Sequence, residues 1–294
     1  MKLLSHYIEH QKELYQVINW KNHAITDMLF YSFRDTAYDR RCYPSKLHYH
    51  DYYELVVFEQ GDIRYVCEGR VYHPSYGDII LIPPGHFHMS VINCESTRYR
   101  RHVFYLYPSA FDGIGHRALA SFLEKSSNGN ILAFSAHEDK RSFMGVLNCL
   151  QEALAGEPSP LKNALGLAYV LQAFYLLNQS NCQAKEEGTT LPETILLLQE
   201  YIDQNFHQIS SVSQIAEHFF YSREYVSRLF RKHFDTTISD YIMKRRIAKS
   251  QALIAKGLAV TDVAYEVGFR SLSTFIRSFR AVTSMTPSEY RKTL

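Results

Sequence analysis

The chain has 294 residues, 46% of them hydrophobic and 21% charged, which gives room for two or three domains and a sizeable core without disulfide staples. Its formal net charge of +2 is unevenly spread: residues 193–294 hold 14 Lys+Arg against 10 Asp+Glu, whereas residues 1–192 hold 18 against 20. A basic tail on a slightly acidic body points towards nucleic acid. No run reaches 18 apolar residues and "MKLLSHYIEHQKEL" lacks the apolar stretch of a signal peptide, so the expectation is a cytoplasmic chain that makes no membrane contact.

The five cysteines, Cys42, Cys67, Cys94, Cys149 and Cys182, are odd in number and contain no CxxC pair. That argues against a zinc ribbon or a secreted disulfide framework and reads as reduced thiols. Tyrosine and phenylalanine are abundant, 22 and 18 against one tryptophan, a composition suited to pockets and interfaces.

In chain order, residues 25–135 read as strands. "ELVVF", "IRYVCEG", "DIILIPP" and "RHVFYLY" are short, rich in β-branched and aromatic residues, and punctuated by Gly61, Gly69, Gly77 and Pro83-Pro84. This spacing predicts an all-β sandwich or barrel. Within it, "HYHDYYE" places His48, His50, Tyr52 and Glu54 at alternate positions, so a continuous strand points all four into the barrel. His88 joins them from a later strand. Several buried ionisable groups need partners, which leaves two roles: walls of a pocket for an organic ligand, or ligands for iron, manganese or zinc.

From residue 137 the period becomes helical. Phe143, Val146, Leu147, Leu150 and Leu154 share one face, and after the "AGEPSP" turn "LKNALGLAYVLQAFYLL" has an apolar face broad enough to be covered on two sides. A helical hairpin at 137–181 that packs on the barrel and pairs with a second subunit is expected; packing on the barrel alone is the alternative. The polar stretch 178–192 has little periodicity, and the linker is placed at 182–192.

The last hundred residues contain a duplication. "RLFRKHFDTTISDY" (228–241) aligns with "RSFRAVTSMTPSEY" (277–290) at an offset of 49, and "VSQIAEHF" with "VTDVAYEV" at 48. Each copy reads as helix, short turn, helix. Ser211 with Gln214 makes a capping box in the first, Ser222 and Ser271 cap the second helices, and small Ala216 and Ala264 let the paired helices cross closely. The outward faces of those second helices carry Arg223, Glu224, Ser227, Arg228 and Arg231, then Leu272, Ser273, Thr274, Arg277 and Arg280. Arginine forks suit guanine edges, and Ser/Thr reach bases or phosphates. The stretch between the copies reads as one long helix ending at Gly257, which sets the readers' spacing to successive major grooves, roughly 34 Å apart.

These residues, above all "VTDVAYEVGFRSLSTFIRSFRAVTSMTPSEYRK", resemble the signature of the AraC/XylS family of bacterial transcription regulators over about 193–294. The resemblance implies two helix-turn-helix subdomains. It places base-reading roles on Glu224, Ser227 and Arg228, and on Leu272, Ser273, Thr274, Ile276 and Arg277. Asp235 and Ser284 stand where family members often carry glycine; aspartate tolerates the left-handed backbone better than serine. The N-terminal half resembles the cupin-like effector domains of such regulators through His48, His50, Glu54 and Gly61, followed by Gly77, Pro83, Gly85 and His88.

The fold class expected is therefore α+β multidomain: a cupin-like β-barrel with a helical hairpin over 1–181, a linker, and an all-α double helix-turn-helix domain over 193–294. The function expected is a DNA-binding regulator, an activator, controlled by a sugar or related metabolite held by His48, His50, Tyr52, Glu54 and His88. Its partners are double-stranded DNA, RNA polymerase and a second copy of the chain. No cofactor and no catalytic residue are expected: the chain carries no nucleophile triad signature and no phosphate-binding glycine loop. The alternative is a cupin metalloenzyme or metal-sensing regulator ligated by His48, His50, Glu54 and His88.

Overall fold

The computed structural model describes residues 17–26, 29–38, 47–92, 97–107, 121–123, 131–157, 159–184 and 188–293. Cys42, Cys94 and residues 185–187 of the expected linker lie outside them. The chain divides into two compact units: residues 1–45 with 52–189, and residues 190–294 with the short segment 46–51.

Eleven strands are described: β1 (Val17–Thr26), β2 (Leu29–Tyr38), β3 (Tyr53–Gln60), β4 (Ile63–Cys67), β5 (Arg70–Tyr72), β6 (Ile79–Ile82), β7 (His88–Ile92), β8 (Thr97–Leu106), β9 (Ile131–Phe134), β10 (Cys182–Ala184) and β11 (Gly188–Thr190). One sheet runs β1-β2-β8-β3-β6-β9-β10 and a smaller one β11-β5-β4-β7. Alternation along β3 explains the apolar run "ELVVF". Leu55 and Val57 face a core shared with two helices, while Val56 and Phe58 face a second core shared with Ile63, Tyr65 and Tyr72 of the small sheet. The large sheet is thus the middle layer, with the small sheet on one side and helices on the other.

Those helices are α1 (His137–Ala153) and α2 (Pro160–Gln179). Glu138 and Asp139 sit in the first turn of α1, where carboxylates complement the helix dipole. Ser159 caps α2 by accepting from the Lys162 N–H at 3.3 Å, with Pro160 at the first helical position. The predicted face of α1 is the buried one: Phe143, Val146, Leu147 and Leu150, continued by Leu154, pack with Val170, Phe174 and Leu177 of α2. Gly166 makes the close approach possible, because a Cβ there would meet the Leu154 side chain at 2.8 Å. On the outer face of α2, Leu161 is 84% exposed and Leu165 46%.

The stretch read as linker contributes two short strands. Cys182–Ala184 pairs antiparallel with β9, and Gly188–Thr190 edges the small sheet. Edge pairing satisfies backbone groups whatever the side chains are, so a polar sequence without periodicity concealed it.

The second unit is helical: α3 (Glu193–Asn205), α4 (Val212–His218), α5 (Arg223–Phe234), α6 (Ile238–Ala255), α7 (Val260–Glu266), α8 (Leu272–Thr283) and α9 (Pro287–Arg291). The duplication is visible in its packing. Phe230 meets Tyr241 with ring centroids 5.2 Å apart, and Phe279 meets Tyr290, each 49 residues on, at 5.7 Å. α6 is the long connecting helix, and Gly257 closes it with φ +88°. Arg245 ties α6 to Asp203 of α3, and Arg246 donates to the carbonyls of Phe206 and Ile209 just beyond that helix. These two arginines are fastened inside the unit.

Candidate nucleic-acid interface and ligand layer

The second helix of each copy is positioned by its caps. Ser222 accepts from the Tyr225 N–H at 3.1 Å and Ser271 from the Thr274 N–H at 3.3 Å. At the other ends Asp235 and Ser284 both adopt the left-handed conformation, φ 49° and 60°, and return their N–H groups to Arg231 and Arg280. Both turns survive without glycine. One expectation is corrected: Ser211 does accept from the Gln214 N–H, but the Gln214 side chain accepts from Ser210 rather than closing a reciprocal box on Ser211. The complete capping box lies at Thr286 and Glu289.

With Val226, Phe230 and Phe234 buried beneath α5, Arg223, Glu224, Arg228 and Arg231 are exposed and Ser227 is half-buried. Beneath α8 lie Phe275 and Phe279; Ser273, Thr274, Arg277 and Arg280 are exposed, Leu272 and Ile276 half-buried. Each candidate reader thus presents two arginines one turn apart on its outer face. A groove beside the second is lined by Ser273, Ile276, Arg277, Arg280, Ala281 and Thr286. The Thr274 hydroxyl accepts from Ser271 Oγ at 2.9 Å, so the cap fixes its direction.

In the first unit β3 begins at Tyr53; His48 and His50 precede it in the segment grouped with the helical unit, so the expected strand alternation does not govern them. The rings of His48 and His50 lie 6.3 Å apart within the segment 46–51. Glu54 and His88 bridge the two sheets, Oε2 to Nε2 at 3.2 Å, while His88 Nδ1 donates to the His86 carbonyl at 3.0 Å. A histidine anchored through one nitrogen to a carbonyl and presenting the other is the arrangement that orients a metal ligand or a hydrogen-bonding wall. Tyr52 is buried in the same layer against Tyr105 and Tyr107.

Two further residues were missed by the sequence reading. Arg34 of β2 and Arg101 of β8 are buried, 7% and 8% exposed, in the layer between the sheets. Alternation through "RHVFYLY" would have put Arg101 beside Val103 and Tyr105, but a strand arginine is ordinarily read as solvent-facing.

On the other face of the large sheet a polar chain is fully engaged. The Tyr31 hydroxyl bonds His102 Nδ1 at 2.7 Å, and His102 Nε2 bonds Glu59 at 2.8 Å. Arg100 reaches Glu59 at 3.1 Å, and Arg98 forks onto Asp35. The Arg98 hydrogen bonds hold the Asp35 carboxyl below its usual range against the opposing effect of burial. Burial pushes Glu59 up, but the hydrogen bond and charge of His102, with Arg100, outweigh it and leave it lowered.

Comparison with known proteins bears on both units. The chain matches the helix-turn-helix domain family over residues 215–293 and the AraC-like ligand binding domain over residues 35–168. It is 33% identical over 103 residues to the regulatory protein SoxS of Salmonella typhimurium, an alignment covering 35% of this chain and 96% of SoxS. It is 24% identical over 244 residues to the HTH-type transcriptional regulator YdiP of Escherichia coli K12, covering 81% of this chain and 78% of YdiP. It is also 24% identical over 250 residues to the HTH-type transcriptional activator RhaS of an Enterobacter strain, covering 83% and 87%. The chain is a transcription regulator with a ligand-binding and a DNA-binding domain. It belongs to the AraC/XylS family. No described helix is long and apolar enough to cross a membrane.

Proposed function

We propose that this regulator reads a specific operator with α5 and α8 and that a small metabolite held in the first unit controls the reading. The observation that carries the proposal is the pair Arg228 and Arg277, exposed at equivalent positions of two duplicated, serine-capped helices. Their forks suit guanine edges; Ser227, Ser273 and Thr274 supply shorter contacts, and Arg231 and Arg280 suit phosphates. Similarity to the transcriptional activator RhaS, alignable over most of both chains, favours activation and hence contact with RNA polymerase. The exposed leucines on α2 favour a homodimer through the hairpin. The protein acts by binding, and no reaction is assigned to it.

For the effector, Glu54, His88 and Tyr52, with His48 and His50 in the adjoining segment, offer the mixed donors and acceptors that a sugar-like metabolite requires. The test is a gel shift with DNA flanking the chain's own gene, with and without candidate effectors. Specific retardation is expected; its absence throughout would overturn the regulator mechanism. A second reading is favoured by one observation, the buried pairing of the Glu54 carboxylate with His88, two ligand types that suit a transition metal. Elemental analysis of metal-replete protein tests it. One tightly held ion per chain, lost in His88→Ala, would establish it in place of the metal-free pocket.

A further inference from the structure

The two reader helices share their arginines and differ in what surrounds them. At the offset of 49, Arg228 and Arg231 of α5 correspond to Arg277 and Arg280 of α8, whereas Arg223 corresponds to Leu272, Ser227 to Ile276 and Lys232 to Ala281. Three positions that are charged or hydroxylated on α5 are thus apolar on α8. These three do not belong to the core beneath the helix. Phe275, Phe279 and Thr283 are the buried residues of α8, while Leu272 and Ile276 are half-buried and Ala281 is exposed. The change in chemistry is a property of the outer face.

That face holds a groove. Ile276 and Ala281 line it together with Ser273, Arg277, Arg280 and Thr286. Positions 273, 276, 277 and 280 recur at helical spacing, so they form one strip of α8. The short hydroxyls of the groove already have partners: Ser273 Oγ lies 3.3 Å from the capping Ser271 Oγ, and Thr286 Oγ1 donates to Glu289 at 2.8 Å. The groove therefore offers arginine forks beside an apolar wall.

We propose that this groove receives the 5-methyl group of a thymine, with Ile276 and Ala281 as its wall, in the base pair adjoining the guanine read by Arg277. The proposal rests on the operator-reading role of α8 given above and narrows its target. The α8 half-site is a guanine beside a thymine, whereas the α5 half-site is read through hydrogen bonds. In the major groove thymine presents one acceptor and a methyl group, and apolar side chains recognise the methyl. An arginine fork occupies guanine O6 and N7 and leaves the neighbouring pair unread; a methyl contact reads that pair without a hydrogen bond. On α5 the same places carry the Ser227 hydroxyl and the charged ends of Arg223 and Lys232, which suit water and phosphate. The duplicated helices thus read an asymmetric operator.

The probe is the duplex upstream of the chain's own gene with deoxyuridine in place of thymidine, a change that deletes the methyl and keeps every hydrogen-bonding group of the base. The base pairs at which Arg228→Ala and Arg277→Ala relax preference assign the half-sites. The full-length wild-type protein should bind about fourfold more weakly when the α8 half-site carries deoxyuridine, the effect of one buried methyl, and equally well when the α5 half-site does. Ile276→Ser should bind both forms of the α8 half-site equally while still preferring either to a scrambled duplex. Specific binding that ignores deoxyuridine in the α8 half-site, or responds equally in both half-sites, would overturn the proposal and leave the reader standing. An α8 half-site with no thymine beside its guanine would do the same. None of these results needs the Ile276 variant to fold, and a loss that persists in a folded Ile276→Ser would equally overturn the proposal. Equal binding of native and scrambled duplexes would overturn the operator reading and this proposal with it.

Discussion

Phe220 and Gly268 occupy the same place in the two copies of the reader unit, 48 residues apart. Both are left-handed, φ 56° and 92°, and both return their N–H to the equivalent carbonyl, Glu217 at 3.2 Å and Tyr265 at 3.0 Å. Their freedom to vary differs. A Cβ on Gly268 would meet the His207 carbonyl oxygen at 2.1 Å, whereas Phe220 is 96% exposed and meets no such wall.

Gly268→Ala should accordingly destabilise the helical unit by about 2–4 kcal/mol, combining left-handed strain with a backbone clash. Phe220→Gly should stabilise it by roughly 0.5–1 kcal/mol, since relief of strain exceeds glycine's added entropy in the unfolded chain. Urea midpoints of the two variants check both signs. Equal and small effects would mean that the two turns are not equivalent.

Arg228→Ala and Arg277→Ala should each cost about 1–3 kcal/mol of operator binding and relax preference at one base pair. Alanine at Arg231 or Arg280 should weaken binding across all sequences and reduce its salt dependence by about one phosphate contact. Binding titrations on single-base operator variants at two salt concentrations separate these outcomes.

Leu165→Glu tests the dimer directly, because a side chain 46% exposed in the single chain can accept a charge without disturbing the hairpin core. Sedimentation of the full chain at tens of micromolar should give a dimer for the wild type and a monomer for the variant, with unchanged melting of the monomer's core. A wild-type monomer would remove the hairpin interface.

The reader unit was legible because each repeated residue performs one local job: Ser222 and Ser271 cap, Thr237 and Thr286 cap the following helices, and Phe230–Tyr241 repeats as Phe279–Tyr290. Duplication showed the pattern twice, and capping needs only residues three apart. The layer between the sheets was legible only in part. Glu54 and His88 could be named from strand alternation, but His48 and His50 precede the strand. The burial of Arg34 and Arg101 depends on a ladder between segments far apart in sequence. The strands at 182–184 and 188–190 escaped for the same reason, since partner strands rather than their own side chains specify them.

The Asp35 and Glu59 carboxyls, both held below their usual range, set the acid limit of the first unit. A lowered folded pKa means that this contribution is present above the unfolded value, near pH 4, and is lost as pH falls through the folded one. Melting temperature should therefore decline on acidification below about pH 4.5, and Asp35→Asn should flatten that decline while lowering stability at pH 7. A variant as acid-sensitive as the wild type would show that other groups govern the limb.

Sequence reading by the two duplicated helices is measured most directly as the ratio of dissociation constants for the native upstream DNA and a scrambled duplex of equal length at one physiological salt concentration. A specific reader should prefer its own site by about a thousandfold or more, and Arg228→Ala should shrink that ratio by roughly tenfold. Equal dissociation constants for the two duplexes, with and without effector, would contradict the account.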